Sequence, residues 1–460
     1  MKKWLKKLFV ECPIYIPIAK YHYYFAKKEF KNLLIQCENW DIEQVREWQL
    51  RKVQQVVDFA FENVPFYNQL YKSVGYKTGD ITCWEDFERL PLVSKSDIKA
   101  NLELFTAPQI AQLNAHRCHT GGSTDKPMEF FLDKATEVRE LAFFEYYWSK
   151  NGYTFGEKCV VLRGHQVANP ARATYTQKDN TQHYLVCDSR YLSDADAVKS
   201  MVYDIKRFDA RVLQAYPSSA YFFAKAIVAL GIEPPHFEYI FLGSENTYED
   251  QIDFIKQVFS ANDVLYHYGH SECAGIAIKY PERKEMGFCP VYGITEFITP
   301  ENYSSDARTK EIVTTGWNLS TPFIRYKTGD YAIVSDYTSN DYLKCYKSVE
   351  RIEGRMHEYL VTKDLRKISL CNIAGAHIPS LSLVGDMQYE QDTIGAVTIY
   401  VTPPYEGATL NTDLLSQIQN DYDKIFASTM DVTIKVVEQL RKSPIGKKIL
   451  LIQHLDLQKF

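Results

Sequence analysis

Tyr239-Ile-Phe-Leu-Gly243, a stretch from Glu249 to Phe259, and Val264-Leu-Tyr-His-Tyr268-Gly-His-Ser-Glu272 form the run that decides the fold. The two apolar segments are short and rich in β-branched and aromatic residues, so they read as buried strands. The stretch between them reads as a helix. The same rhythm runs upstream. Lys158-Cys-Val-Val-Leu-Arg163 reads as a buried strand followed by a loop, Asp196 to Phe208 as a helix, Arg211-Val-Leu-Gln-Ala215 as a strand and Ser218 to Leu230 as a helix. Strands alternating with helices imply parallel βαβ units and an α/β fold. Ligands bind beyond the carboxyl ends of such strands, which draws attention to Tyr268-Gly-His-Ser-Glu272.

Outward from that run the pattern changes. Ile42, Val45, Trp48, Val53, Val56, Val57 and Ala60 recur at helical spacing, and Asn63-Val-Pro-Phe-Tyr67 breaks that helix because proline restricts the residue before it. Short helices are expected at Trp84 to Pro91 and Asp97 to Leu104, and a longer one at Lys134 to Trp148. From Thr295 the chain is strand-rich, with Glu311-Ile-Val-Thr-Thr315 and Tyr331-Ala-Ile-Val-Ser335. Beyond Arg351 to Glu358 it reads as α+β: a strand at Gly395 to Val401, a helix at Thr412 to Phe426 and a strand at Val432 to Val437. The expected organisation is a large α/β domain of mixed parallel sheets and helices, residues 1–353, and a small mobile α+β domain, residues 354–460.

Composition narrows the function classes. Over 460 residues, 45% are hydrophobic and 24% charged, ordinary values for a soluble globular protein. A net charge of −5 gives no basis for nucleic-acid binding. None of the ten cysteines sits in a C-x-x-C pair, and no secretory signal is visible, which argues for reduced thiols in a cytoplasmic setting. The basic start, Met1-Lys-Lys-Trp-Leu-Lys-Lys-Leu-Phe-Val10, runs into an apolar stretch, but Glu11, Pro13, Pro17 and Lys20 interrupt it. It reads as a helix that packs on the body or touches an anionic membrane face.

Thr120-Gly-Gly-Ser-Thr-Asp-Lys-Pro127 carries the chemistry best. Glycines let backbone N–H groups approach a ligand, and hydroxyls and a lysine add donors and a positive charge, which together suit phosphate. It is not a P-loop, because Lys126 precedes proline and Met128-Glu-Phe-Phe-Leu132 reads as a strand. Alone, the stretch reads equally as a Gly-Ser-Thr surface turn. Three more segments stand with it: Tyr268-Gly-His-Ser-Glu272, Pro322-Phe-Ile-Arg-Tyr-Lys-Thr-Gly-Asp330, and Lys442-Ser-Pro-Ile-Gly-Lys447. A carboxylate at Glu272 suits Mg²⁺, and Asp330 suits ribose hydroxyls.

In this order the segments resemble the adenylate-forming superfamily of acyl-CoA synthetases, peptide-synthetase adenylation domains and luciferases, over nearly the whole chain. Val64-Pro-Phe-Tyr67, Leu90-Pro91 and Lys95 resemble the N-terminal region of phenylacetate–CoA ligases and their capsular-polysaccharide-biosynthesis relatives. The resemblance implies ATP and Mg²⁺ as cofactors. It implies a phosphate loop at Thr120, Gly121, Gly122, Ser123, Thr124 and Lys126, and an adenine border at Gly243, Ser244 and Glu245. Tyr268, with Gly269 and Ser271 in its motif, corresponds to the aromatic that lies against adenine. Glu272 corresponds to the Mg²⁺ ligand, Asp330 to the ribose-binding aspartate, Arg355 to the arginine near ribose and phosphate, and Lys447 to the lysine that bridges carboxylate and α-phosphate. Asp125 stands where the family has glycine, and Gly121 where it has serine.

Around this set, Tyr216 and His270 are expected near the acyl pocket. Arg163 and His165 at the cleft rim suit either an acidic substrate or a loop salt bridge. His267, His270, Cys273 and Cys289 have zinc-like spacing, but the preferred reading is unliganded side chains near the nucleotide. The leading expectation is an ATP-dependent ligase that adenylates a carboxylic acid and passes the acyl group to an amine during surface-polysaccharide synthesis. An aryl- or acyl-CoA ligase with a thiol acceptor is the alternative, and a non-catalytic nucleotide-binding scaffold is a third.

Overall fold

The computed structural model describes residues 16–455 except 121–127, 155, 164, 180–182, 193, 246, 248, 280–284, 300–307, 335–346, 356–358, 366, 371–378, 406, 427 and 443–448. The described residues open with helices: α1 (Ile16–Cys37), α2 (Ile42–Asn63), α3 (Pro65–Ser73), α4 (Trp84–Glu88), α5 (Lys95–Ala100) and, after the first hairpin, α6 (Lys134–Lys150). Asp41 closes a capping box with Gln44 at the start of α2, which buries Val45, Val53, Val56, Val57 and Ala60, the expected stripe without the exposed Ile42 and the half-buried Trp48. The expected break falls after Asn63, yet α3 begins at once. Pro65 sits at its first position, where a missing N–H costs nothing. Helix α5 starts two residues before the expected Asp97, because Ser94 caps it, and it stops at Ala100 rather than Leu104. Helix α1 packs along α6, where Lys27 and Lys31 pair with Glu145, and Glu38 takes Tyr146 and Lys150. No described helix is long and apolar enough to cross a membrane.

Strands β1 (His116–His119) and β2 (Glu129–Leu132) form an antiparallel hairpin with His119 opposite Glu129. The main sheet is built from β3 (Cys159–Leu162), β4 (Thr176–Asp179), β5 (Tyr184–Cys187), β6 (Val212–Ala215), β7 (Tyr239–Gly243), β8 (Asp263–Gly269), β9 (Ile276–Lys279), β10 (Met286–Phe288), β11 (Ile294–Ile298), β12 (Thr309–Thr315), β13 (Tyr326–Val334) and β14 (Ser348–Arg355). These twelve strands run in the order β11-β12-β13-β14-β10-β9-β8-β7-β6-β3-β5-β4. The run β5-β3-β6-β7-β8 is parallel, as the βαβ rhythm implies. Everything from β9 to β14 is antiparallel, as is the edge strand β4. The sequence reading has only a loop at β4 and β5; Thr176-Gln-Lys-Asp179 is polar and gives no apolar signal.

Helices α7 (Ala195–Phe208), α8 (Pro217–Ala229) and α9 (Glu249–Phe259) complete the parallel half. Alternation along the strands splits it into two cores. Val161, Val212, Phe241 and Leu265 join the core with α2 and α6, while Val160, Leu213, Ile240 and Leu242 join the one with α7, α8 and α9. Burial on both faces explains why these strands read as continuous apolar runs.

Past the two-stranded pair β15 (Tyr359–Val361) and β16 (Lys367–Ser369), a sheet in the order β19-β18-β17-β20 forms from β17 (Met387–Gln391), β18 (Ala396–Val401), β19 (Asp431–Val436) and β20 (Leu451–Gln453). Helix α10 (Thr412–Phe426) covers it and buries Ile418, Tyr422 and Phe426 against Tyr389, Val397 and Ile399. Lys225 of α8 reaches over to donate to the Leu381 carbonyl at 2.8 Å.

Candidate active site

The parallel strands β3, β6, β7 and β8 end side by side; Arg163, Tyr216 and Ser244 are the first residues past three of those ends, and Tyr268 is the last residue but one of β8. Arg163 leaves β3 with its guanidinium 5.3 Å over the Tyr216 ring and donates to Ser244 Oγ at 2.8 Å. Glu245 Oε2 accepts the Ser218 N–H at the start of α8 at 3.0 Å, so the carboxylate sits on unsatisfied helix donors. At Gly243 a Cβ would meet His267 Cε1 at 2.2 Å; only glycine lets that ring pack at the end of β7. Burial, reinforced by the charge of Arg163, lowers His267 to about 3, so the ring is neutral.

The turn after β8 places a buried carboxylate in the middle of the sheet. Glu272 Oε1 accepts from the Tyr326 hydroxyl at 3.0 Å, and Glu272 Oε2 lies 3.3 Å from His270 Nδ1. Burial alone would raise the Glu272 carboxyl, but His270, the Glu272 backbone N–H and Tyr326 hold it at about 2. The His270 contact lacks hydrogen-bond alignment, and both ring nitrogens are buried without a hydrogen bond. Beside this pair, Tyr268 donates to Asp330 Oδ2 at 2.9 Å. Burial, and then Asp330 itself, push the Tyr268 phenol well above its ordinary value, so it stays a donor. Asp330 follows Gly329, whose φ is +75°, and faces Arg355 across the β13–β14 ladder.

Arg325, just before β13, anchors the antiparallel side. Its guanidinium pairs with Glu296 at 2.7 Å and donates to the Glu88 and Leu90 carbonyls. It thereby ties the segment after α4 to the strand that carries Tyr326 and Asp330. Glu140 of α6 accepts from the Tyr292 hydroxyl, and burial pushes it up to about 7 against the pull of His270, Cys273 and Arg163.

The structure therefore gathers Glu272, His270, Tyr268, Asp330, Gly243, Ser244, Glu245, Tyr216 and Arg163 along one edge. Gly269 closes β8, Ser271 is exposed beside Glu272, and His165 is exposed in the loop beyond Arg163. Thr120 is buried at the hairpin stem, where its hydroxyl accepts the Met128 N–H at 3.0 Å, so part of its role is to close the hairpin. Gly121, Gly122, Ser123, Thr124, Asp125, Lys126 and Lys447 lie outside the described residues, and Arg355 is placed by its backbone alone. His267, His270, Cys273 and Cys289 do not converge. Among the described residues the one trio within ligating distance is Glu390, Asp392 and His454, and Arg441 already neutralises Glu390 at 2.6 Å.

Tyr326, Glu140 and Tyr292 escaped the sequence reading. Tyr326 had a signal: it shares the segment Pro322–Asp330 with the aspartate singled out there. Glu140 had none, since it looks like any charged position on an amphipathic helix.

The Glu272 carboxylate fits a hard cation by its chemistry: it is buried in the turn after β8 and held ionised by its neighbours, and oxygen donors suit Mg²⁺. The Tyr268–Asp330 pair fits a nucleoside, with an aromatic face beside a carboxylate acceptor.

No family model matches the chain. Protein CapK of Staphylococcus aureus is 22% identical over 438 residues, covering 94% of this chain and 93% of that protein. Phenylacetate-coenzyme A ligase of Pseudomonas putida is 31% identical over 97 residues, 21% of this chain and 22% of that one. Among solved structures, 2-hydroxyisobutyryl-CoA ligase in its postadenylation state superposes with a TM-score of 0.67 over 92% of both chains at 17% identity.

Proposed function

We propose that this chain, a member of the adenylate-forming superfamily by its motif order, its relatives and its fold, activates a carboxylic acid at the expense of ATP. The acid's oxygen bonds to the α-phosphorus, the bond to pyrophosphate breaks, and an acyl-adenylate results. A nucleophile then takes the acyl group, releasing AMP and a proton. The observation that carries the reading is that Glu272–Tyr326 and Tyr268–Asp330 join β8 and the turn after it to β13 within hydrogen-bond distance.

Two anions must meet in the first step, so positioning and positive charge lower the barrier. Tyr268 and Asp330 would hold adenine and ribose. Glu272 would hold Mg²⁺, which when bound neutralises phosphate charge. Tyr326 and His270 keep that carboxylate ionised. The loop Thr120–Pro127 would wrap the phosphates, with its stem fixed by the β1–β2 hairpin. Lys447 would place a compact charge between carboxylate and α-phosphate. Residues 354–460 would act as a lid, with a hinge at Arg355 to Glu358 that delivers Lys447 and then withdraws it. Lys447→Ala should lower adenylation about 10²–10³-fold while ATP still binds by calorimetry. Unchanged adenylation would remove Lys447 from the reaction.

For the acceptor we favour an amine in surface-polysaccharide synthesis, in line with the resemblance to the capsular branch. The basic N-terminus would suit work near membrane-linked glycans from the cytoplasmic side. The names of the phenylacetate and 2-hydroxyisobutyryl ligases favour coenzyme A instead. If coenzyme A accelerates AMP release from the preformed adenylate and a thioester appears, the thiol reading replaces the amine one.

A further inference from the structure

We propose that Arg163 reads a second carboxylate on the acid, so that the activated substrate is a dicarboxylic acid rather than a simple monocarboxylic one. This rests on the adenylation reading and narrows its substrate class.

Arg163 is held by three neighbouring strand ends. It grows from β3, crosses the Tyr216 ring beyond β6, and bonds Ser244 beyond β7. A guanidinium stacked and hydrogen-bonded in this way is fixed in direction. Arg190, Arg211, Arg325 and Arg441 each meet a carboxylate at 2.6–2.7 Å. No described carboxylate lies within ion-pair distance of Arg163, so among the described residues the alternative of a loop salt bridge finds no partner.

Its charge also points inward: Arg163 acts on the buried His267 and on Glu140 of α6. Bonded to Ser244, the guanidinium lies beyond the end of β7, whose Gly243 pairs with His267 of the neighbouring β8, and His270 and Glu272 follow in the turn after β8. A cation there flanks the reacting position instead of occupying it. Arginine presents a planar fork of five donors that matches a carboxylate in bidentate fashion. Only one of those donors is engaged here by a hydrogen bond to a described side chain. The acid's reacting carboxylate would face Glu272 and the ATP, and its second carboxylate would lie on the Arg163 fork over Tyr216.

The test is pyrophosphate exchange with matched pairs of acids of equal carbon skeleton, one with a single carboxylate and one with two. Wild type, Arg163→Met and Arg163→Lys are compared. The expected result is a wild-type kcat/KM higher for the diacid of at least one pair. Arg163→Met should then lose about 10- to 100-fold more on that diacid than on its monoacid partner, the size of a charge-assisted hydrogen bond. Arg163→Lys should recover part of the loss, and the KM for ATP should not rise with it. Equal losses on both acids would place Arg163 at the reacting carboxylate and overturn the proposal. So would a rise confined to the ATP KM, or a wild type that prefers the monoacid in every pair. Exchange with monoacids alone sinks this proposal and leaves adenylation standing, whereas exchange with no acid sinks both.

Discussion

The two halves of the twelve-stranded sheet supply the site in different ways. The parallel half offers loop residues just past strand ends: Arg163, Tyr216, Ser244 and the turn from His270 to Glu272. The antiparallel half offers side chains from within one strand, Tyr326 and Asp330 of β13. Loop residues can vary in chemistry without disturbing the sheet, so they are where substrate choice should reside. Strand residues are fixed by the ladder, and they complete the two hydrogen-bonded pairs. Perturbing the antiparallel half should therefore cost stability and nucleotide binding together, while perturbing the parallel loops should change chemistry or substrate preference with the fold intact.

The largest expected effect tests the first half of that contrast. Arg325→Met leaves the half-buried Glu296 without its partner and frees the Glu88 and Leu90 carbonyls. Breaking a buried pair on one side costs about 3–5 kcal/mol, which should appear as a lower midpoint in denaturant unfolding. An unaltered midpoint would mean that this side is not anchored through Arg325. Glu272→Gln is the counterpart in the β8 turn. Adenylation should fall about 10²–10³-fold, and the melting temperature should change little. A loss below threefold would exclude Glu272 from the chemistry.

Glu140 joins the helical layer to the antiparallel half at Tyr292. Its carboxyl is raised from 4.5 to about 7, chiefly by burial. The folded state therefore favours the neutral form, and the stability this group contributes is present below the ordinary carboxylate range and lost as pH rises towards 7. Glu140→Gln should gain melting temperature relative to wild type between pH 5 and pH 8. A difference that stays constant across that range would show that Glu140 titrates normally. The smallest effect is expected for Tyr268→Phe, which removes one hydrogen bond to Asp330 and should raise the ATP KM about two- to tenfold. A larger loss would give the hydroxyl a role beyond orienting the aspartate.

Apart from β5, read as loop, the parallel half was legible because buried strands and amphipathic helices alternate along the chain, and the limits of the elements found there fell within a residue or two of those observed. The antiparallel half was legible only as strand-rich. Its partners are distant in sequence, as Glu272 and Tyr326 are, and a pairing of that kind leaves no periodic trace. Strand β13 begins at Tyr326 rather than Tyr331, because the Lys-Thr-Gly stretch within it looks like a turn. Strand β4 was invisible because an exposed edge needs no apolar residues. Of the site, the motif residues Tyr268, Glu272 and Asp330 could be picked out by type and order. Their bonding to one another could not, nor could the fixed direction of Arg163, which depends on strands β3, β6 and β7 lying side by side.

If this edge of the sheet makes an acyl-adenylate, ATP–pyrophosphate exchange over a panel of mono- and dicarboxylic acids will reveal it. Exchange should depend on the acid, require a divalent cation and fall about 10²–10³-fold in Glu272→Gln. ATP that neither binds nor exchanges with any acid would contradict it and leave a nucleotide-free scaffold on a ligase fold.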